Sequence, residues 1–312
     1  MGIHGLNNYI KKNCINALEV VHFKQIKGKI IVVDISIYLY KFKIDDALIR
    51  NMYHLFSIFH FYNIVPIFVF DGKPPGDKND TLKQRRTEKL SNIDKYNDLY
   101  ELRIKSENLY EQAHIQVEMN NLKKNCVCMK QTDIDQVKEL ISAFGYQYYT
   151  HYKEADQLCA HLVKTNQAWA CLSEDMDLFV YGCHRVMRYV NLLNHTFTLY
   201  DTKSILNELE MKIVDFRHIC ILSGTDYNST SDTCLSIDTC FQKYNEFVSL
   251  KVNIEFEEWL SLLITNESRE KIHKIKSLFE EEVQFEMERT CVTFSKQSIN
   301  TILKFNGFIF PR

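Results

Sequence analysis

Seven carboxylates stand where a carboxylate is costly unless something positive meets it. The stretch "LSEDMDLFVYG", Leu172 to Gly182, packs three acids into four positions directly behind the apolar run "AWACL". Asp175 and Asp177 belong to it. Asp34 follows "IIVV", Asp71 follows "IFVF", Glu154 and Asp156 open "EADQLCAHLVKT", and Asp226 follows "ILSGT". Repelling carboxylates at the ends of buried segments lose stability unless a cation, a donor or water compensates. Hard oxygen donors in this number suit Mg²⁺ or Mn²⁺, which keep several waters and bind substrate phosphate. Two such ions about 4 Å apart activate a water and stabilise the leaving oxygen in phosphodiester cleavage. Taken singly, an Asp after a strand is more often a turn or a helix cap. Seven at convergent positions favour the metal.

Convergence depends on the elements that carry these acids. "KIIVVDISIYLYKF", from Lys29, begins with a continuous β-branched run, the pattern of a strand buried on both faces of a parallel sheet. "IVPIFVFDGKPP" is a second such strand, stopped by Gly72 and a proline pair. "ALIRNMYHLFSIFHFYN" between them has apolar residues at helical spacing, so strand, helix and strand form a right-handed βαβ unit. Its aromatics read as core rather than as a nucleic-acid platform. From Asp77 to Lys130 the chain is rich in Lys, Arg, Glu, Asn and Gln and reads as exposed helices. "DIDQVKELISAFGYQYY" is a helix closed near Gly145 and followed by a short strand, and "EADQLCAHLVKT" is another helix, with Leu158 and Leu162 on one face. "AWACLSEDMD" supplies a third buried strand, and "FRHICILSGTDYN" a helix ending at Gly224. In an open parallel sheet, ligands bind beyond the carboxyl ends of the strands. Three acid-bearing strand ends therefore point to one crevice.

Composition sets the limits. The 312 residues are enough for a substantial core, and the formal net charge of −2 gives no global nucleic-acid signature. Such a partner must be held by a local basic patch. Ten scattered cysteines favour reduced, intracellular thiols, and "CVC" (Cys126, Cys128) has no second pair to make a zinc site. No apolar run approaches the roughly 20 residues of a membrane span. "MGIHGL" carries the Met-Gly of a myristoylation site, but Leu6 stands where Ser or Thr is needed. His161 and Cys159 read as ordinary helix residues, and His4 and His151 have no partner legible in the pattern.

In blocks over most of its length the sequence resembles the flap endonuclease/XPG-type structure-specific 5′-nucleases. "MGIHGL" looks like the family's N-terminal signature, "VVDISIYLYKF" like its first strand, and "FVFDGKPP" is close to verbatim. "KEADQLCAHLVK" is similar to the Glu-Ala-Glu block, with Asp156 in place of the second Glu. "LSEDMDLFVYG" matches the Glu-Asp-Met-Asp block, and "ILSGTDY" resembles the Gly-x-Asp-Tyr block. The resemblance implies a PIN-like 5′-nuclease fold: an α/β domain with a central, mostly parallel sheet, flanking helices, a helical arch and a C-terminal helical DNA-binding region. Its parts would be residues 1–76 and 131–227 for the nuclease core, 77–130 for the arch and 228–312 for the C-terminal helices. It makes Asp34, Asp71, Glu154, Asp156, Asp175, Asp177 and Asp226 the ligands of two Mg²⁺ ions, with Mn²⁺ as a substitute. Lys78 and Arg85, at the family's spacing after the "FDGKPP" Asp, would reach the scissile phosphate and neutralise developing charge. Tyr40 would stack on a base beside the cleaved bond, the other reading being a half-buried strand-end tyrosine. Arg86 and Lys89 would touch phosphates from the same basic helix.

The sequence also departs from the family's pattern. The stretch between Asp34 and Asp71 is shorter than in cellular flap endonucleases, which puts a preference for a double-flap substrate in doubt. No glycine occurs from Asn228 to Tyr244, so the Gly-Ile-Gly hairpin and its K⁺ site are not carried over. The sliding-clamp motif and basic tail are absent after "FNGFIFPR". A short, Lys/Ile/Asn-rich chain with these losses resembles a viral or otherwise streamlined member. The expectation is a monomeric, intracellular enzyme, nuclear or at a cytoplasmic replication site, cleaving branched or nicked DNA in replication, repair or recombination. Three alternatives stand beside it. A relative that degrades RNA would use the same metal chemistry. A phosphatase using "DMD" would want Asp-x-Asp-x-Thr, where Leu178 and Phe179 stand. A non-catalytic DNA-binding or recombination scaffold would be expected to have lost metal acids, and all seven are present.

Overall fold

The computed structural model describes residues 2–72, 79–106, 108–228, 234–263, 265–285 and 293–309. Among the described residues, seven strands form one sheet in the order β1-β7-β6-β5-β2-β3-β4. They are β1 (Leu18–His22), β2 (Ile30–Asp34), β3 (Val65–Phe70), β4 (Gln147–Thr150), β5 (Ala170–Leu172), β6 (Arg185–Asn191) and β7 (Thr196–Asp201). β6, β5, β2, β3 and β4 run parallel, while β7 is antiparallel to both β6 and β1.

The helices are α1 (Leu6–Asn13), α2 (Ile35–Ile44), α3 (Leu48–Phe61), α4 (Asn79–Lys105), α5 (Leu109–Cys126), α6 (Gln131–Ala143) and α7 (Ala155–Lys164). They continue with α8 (Asp177–Val180), α9 (Thr202–Glu208), α10 (Ile213–Ser223), α11 (Ile237–Leu250), α12 (Phe256–Ser261), α13 (Asn266–Glu280) and α14 (Lys296–Phe305). No described helix is long and apolar enough to cross a membrane.

The pleat explains the unbroken apolar run of β2. Ile31 and Val33 face a core shared with α2, α3, α6 and α14, whereas Val32 faces a second core built with α7, α8, α10 and α11. With both faces covered, every residue of the strand must be apolar until Asp34 at its carboxyl end. There the chain turns directly into α2, which buries Ile35, Tyr38, Leu39 and Phe42 at helical spacing. Only residues 45–47 separate α2 from α3, in keeping with the short Asp34–Asp71 stretch.

α4 has 27 residues and is about 40 Å long at 1.5 Å per residue. It packs along α5 as a hairpin of two helices, the exposed helical segment expected from composition. Beyond α10 the described elements are helices, and Lys153 before α7 pairs with Glu281 after α13, tying the C-terminal helices to the sheet end.

Candidate metal centre

Each expected acid sits at an element boundary that fixes its direction. Parallel pairing sets Asp34 level with Val69 of β3, and Val33 level with Leu172 of β5. The residues just past β3 and β5 therefore emerge beside Asp34. Asp71 follows β3, and its Oδ1 accepts the Ala155 backbone N–H at 2.8 Å, so it caps the first turn of α7. Glu154 is the N-cap residue of α7 and Asp156 lies in its first turn. Past β5 the turn 173–176 is held by its own side chains. The Asp175 N–H donates to Ser173 Oγ at 3.1 Å, and the Asp177 N–H donates to Asp175 Oδ1 at 3.0 Å.

Asp156, Asp175 and Asp177 present one carboxylate oxygen each, all within 4.8 Å of one another. Among the described residues this is the one group of three or more His, Cys, Asp or Glu side chains close enough to hold a metal ion. Asp34 and Asp177 are each only 3% exposed. Burial, with the charges of Asp71 and Asp175 added, pushes Asp34 up to about 8 against the lowering effect of its Ser173 hydrogen bond. Burial pushes Asp156 well above the carboxylate range too, reinforced by Asp175, Asp34, Asp71 and Asp177. Five acids thus share one field. Hard carboxylate donors in such a mutually repelling group fit a divalent cation, whose charge offsets the burial and the repulsion that otherwise favour protons on them.

Glu154 is tied to the turn that carries Asp226 rather than to this group directly. Asp226 is half-buried on the turn after α10, and the neighbouring Tyr227 hydroxyl donates to Glu154 Oε2 at 3.2 Å. Asn228 fixes the turn by accepting from the Thr225 N–H and hydroxyl at 2.7 and 2.8 Å. The amino-terminal segment also reaches this group. Gly2 has φ +74°, and a Cβ there would collide with the carboxylates of Asp175 and Asp177. His4 anchors the segment by donating its backbone N–H to the Gly224 carbonyl at 3.1 Å.

Tyr40 lies on α2 rather than at a strand end, and is 51% exposed. Its phenol is raised by desolvation first, then by Cys128 and Asp71, which puts it near both the acids and the base of the helical hairpin. Lys78 lies outside the described residues, and of Arg85 and Arg86 the structure describes only the backbone, on α4. Lys89 donates to the Val127 carbonyl at 2.7 Å, joining α4 to the residue after α5. Asn228 is described but residues 229–233 are not, so part of the altered hairpin lies outside the description.

Sequence reasoning passed over Ser173, Tyr227 and Gly2. A hydroxyl between a buried strand and its acids, and an aromatic hydroxyl beside Asp226, were the available signals. His151 does have a partner: its Nδ1 lies 2.9 Å from the Glu154 carbonyl. Cys128 is a free, exposed thiol, and Cys159 a buried one.

Residues 1–92 match the XPG N-terminal domain and residues 145–226 the XPG I-region. Flap endonuclease 1 of Methanococcus aeolicus is 34% identical over 165 residues, 53% of this chain and 47% of that protein. Flap endonuclease 1 of Chlamydomonas reinhardtii is 30% identical over 249 residues, 74% of this chain and 60% of that protein. The chain is thus matched to about half to three-fifths of the length of these relatives. Among solved structures, the catalytic core of Rad2 in complex with DNA substrate shares the fold, with a TM-score of 0.68 at 19% identity over 97% of this chain and 95% of that one.

Proposed function

The chain belongs to the flap endonuclease/XPG family of nucleases, and from that premise we propose that it is a divalent-metal-dependent, structure-specific 5′ nuclease. Its substrate would be the 5′ flaps, nicks or ends of DNA formed in replication, repair or recombination inside the cell. The observation that carries this reading is the approach of Asp156, Asp175 and Asp177 within 4.8 Å of one another, with Asp34 buried beside them.

Asp34, Asp71, Glu154, Asp156, Asp175, Asp177 and Asp226 would hold two Mg²⁺ ions. Bound there, the ions would supply an activated water and stabilise the leaving oxygen of a phosphodiester. The chain's own groups do the rest. Ser173 keeps one Asp34 oxygen oriented, and Tyr227 does the same for Glu154. Lys78 and Arg85 neutralise charge developing on the phosphate. Tyr40 gives a base an exposed aromatic face beside the acids. Arg86 contacts the phosphate backbone. Lys89 holds the two arch helices together and reaches phosphate only by leaving the Val127 carbonyl.

The test is a cleavage panel with Mg²⁺ on 5′-flap, nicked-duplex and single-stranded DNA and on RNA, with Asp177→Ala and chelator as controls. Cutting of branched DNA near the junction by the wild type alone supports the proposal, and product lengths separate flap from exonuclease action. Cleavage confined to RNA overturns the substrate. DNA binding without cleavage in either Mg²⁺ or Mn²⁺ makes the protein a scaffold.

A further inference from the structure

Arg188, on β6, is 4% exposed, and its guanidinium crosses behind the turn that carries Asp175 and Asp177. Nη2 donates to the Glu174 carbonyl at 2.7 Å, and Nη1 donates to Asn7 Oδ1 at 2.6 Å and meets the Met176 sulfur. The residues on both sides of Asp175 are thus held by one planar group. The Glu174 carboxylate folds back onto the same cation, with Oε2 3.6 Å from Nε and Oε1 accepting the Tyr189 N–H at 2.8 Å. Tyr189 takes a φ of 53° where the β6–β7 pairing is irregular. The guanidinium lies 5.0 Å from the Tyr189 ring centre and 5.2 Å from that of Tyr200. Asn7 closes the network from α1, accepting from the Tyr200 hydroxyl at 3.0 Å and donating to the Tyr189 hydroxyl at 2.7 Å.

A buried ion pair is a poor device for stability alone, because apolar packing of the same volume does as well or better. What a guanidinium offers that apolar groups do not is a rigid fork that fixes several acceptors at once. Here the fork ties the acid-bearing turn to the sheet through β6 and to α1, the helix that follows the Gly2 segment. We infer that Arg188 is a positioning residue for the metal centre: it fixes residues 174–176 so that Asp175 and Asp177 meet Asp156 at a separation one divalent ion spans. This rests on the metal reading of the site. Groups outside the ligand set that orient metal ligands typically change affinity 10- to 100-fold when removed.

Removing Arg188 alone would also change the field at the acids, so the test uses a charge-conserving pair. Glu174→Gln with Arg188→Met deletes one charge of each sign. Mn²⁺ affinity is measured by titration calorimetry on the full chain without nucleic acid, well below each variant's melting temperature. The inference expects a dissociation constant about tenfold or more weaker than wild type. Arg188→Lys keeps the charge, but its single ammonium does not span the Glu174 carbonyl and Asn7 together. It should lose affinity to an intermediate degree, and it decides the matter should the double variant not fold. Wild-type Mn²⁺ affinity in either folded variant overturns the inference and leaves Arg188 a stabiliser of the fold. A wild-type chain that binds no Mn²⁺ removes the metal reading and this inference together.

Discussion

The Ser173 hydroxyl donates to Oδ2 of Asp34 at 2.8 Å. The contact follows from register: Leu172 pairs with Val33, so the next residue on each strand falls side by side. This bond lowers the Asp34 pKa against the burial that raises it. Ser173→Ala should therefore leave Asp34 more protonated at neutral pH and make a divalent ion compete with that proton. A hydrogen bond to a charged group contributes about 1.5–3 kcal/mol, so cleavage at limiting Mg²⁺ and pH 7 should fall about tenfold or more. Raising the pH or the Mg²⁺ concentration should restore it. An alanine variant with the wild-type pH profile would show that the hydroxyl does not tune Asp34.

Linkage gives a second prediction, on stability. Asp34 moves from an ordinary 3.8 to about 8 in the fold. The folded state then binds the proton more tightly than the unfolded chain. The resulting stability is fully present below about pH 4 and is lost as pH rises through about 8. In chelator, the melting temperature of wild type relative to Asp34→Asn should drop between pH 5 and pH 9. Mg²⁺ should oppose that drop, and adding it should release protons. Parallel pH curves for the two proteins in chelator would refute the assignment.

How much of this was legible depended on where burial left a simple pattern. β2, β3 and β5 are apolar on both faces, so their carboxyl ends, and Asp34, Asp71 and the Asp175–Asp177 pair with them, could be located from sequence. β1, β6 and β7 form the antiparallel flank and carry mixed patterns. Arg188 is buried in the middle of β6, Tyr189 breaks the register, and Val20 of β1 faces outward, so no period-2 signal survives. α2 was obscured differently. "ISIYLYKF" is β-branched and aromatic, yet it folds as a helix whose buried residues recur at helical spacing. Local propensity lost there to packing against the sheet. Ser173 and Arg188 act through contacts 139 and 181 residues away in the chain, to Asp34 and Asn7, which no local pattern encodes.

The two proposed phosphate-facing cations make a third prediction. Lys78→Ala and Arg85→Ala should each lower the rate of the chemical step by about 100- to 1,000-fold, the usual loss for a group aimed at developing charge. Mn²⁺ affinity and melting temperature should stay at wild-type values, since neither residue is proposed to touch the metal or the core. Single-turnover kinetics at saturating DNA is the measurement. A change confined to DNA affinity would reduce both residues to backbone contacts.

Tyr40 carries the last prediction. It stands six residues after Asp34 on α2, is 51% exposed, and senses Asp71 electrostatically. An exposed ring at that place does little for folding, so Tyr40→Ala should leave the melting temperature within a degree or two. Stacking on a base is worth about 1–3 kcal/mol, which converts to roughly 5- to 150-fold in affinity. That loss should appear in substrate binding with Ca²⁺ in place of Mg²⁺, where cleavage does not interfere. Tyr40→Phe keeps the face and drops the hydroxyl, so it should bind as wild type. If phenylalanine fails as badly as alanine, the hydroxyl is what the substrate meets and stacking is the wrong account of the residue.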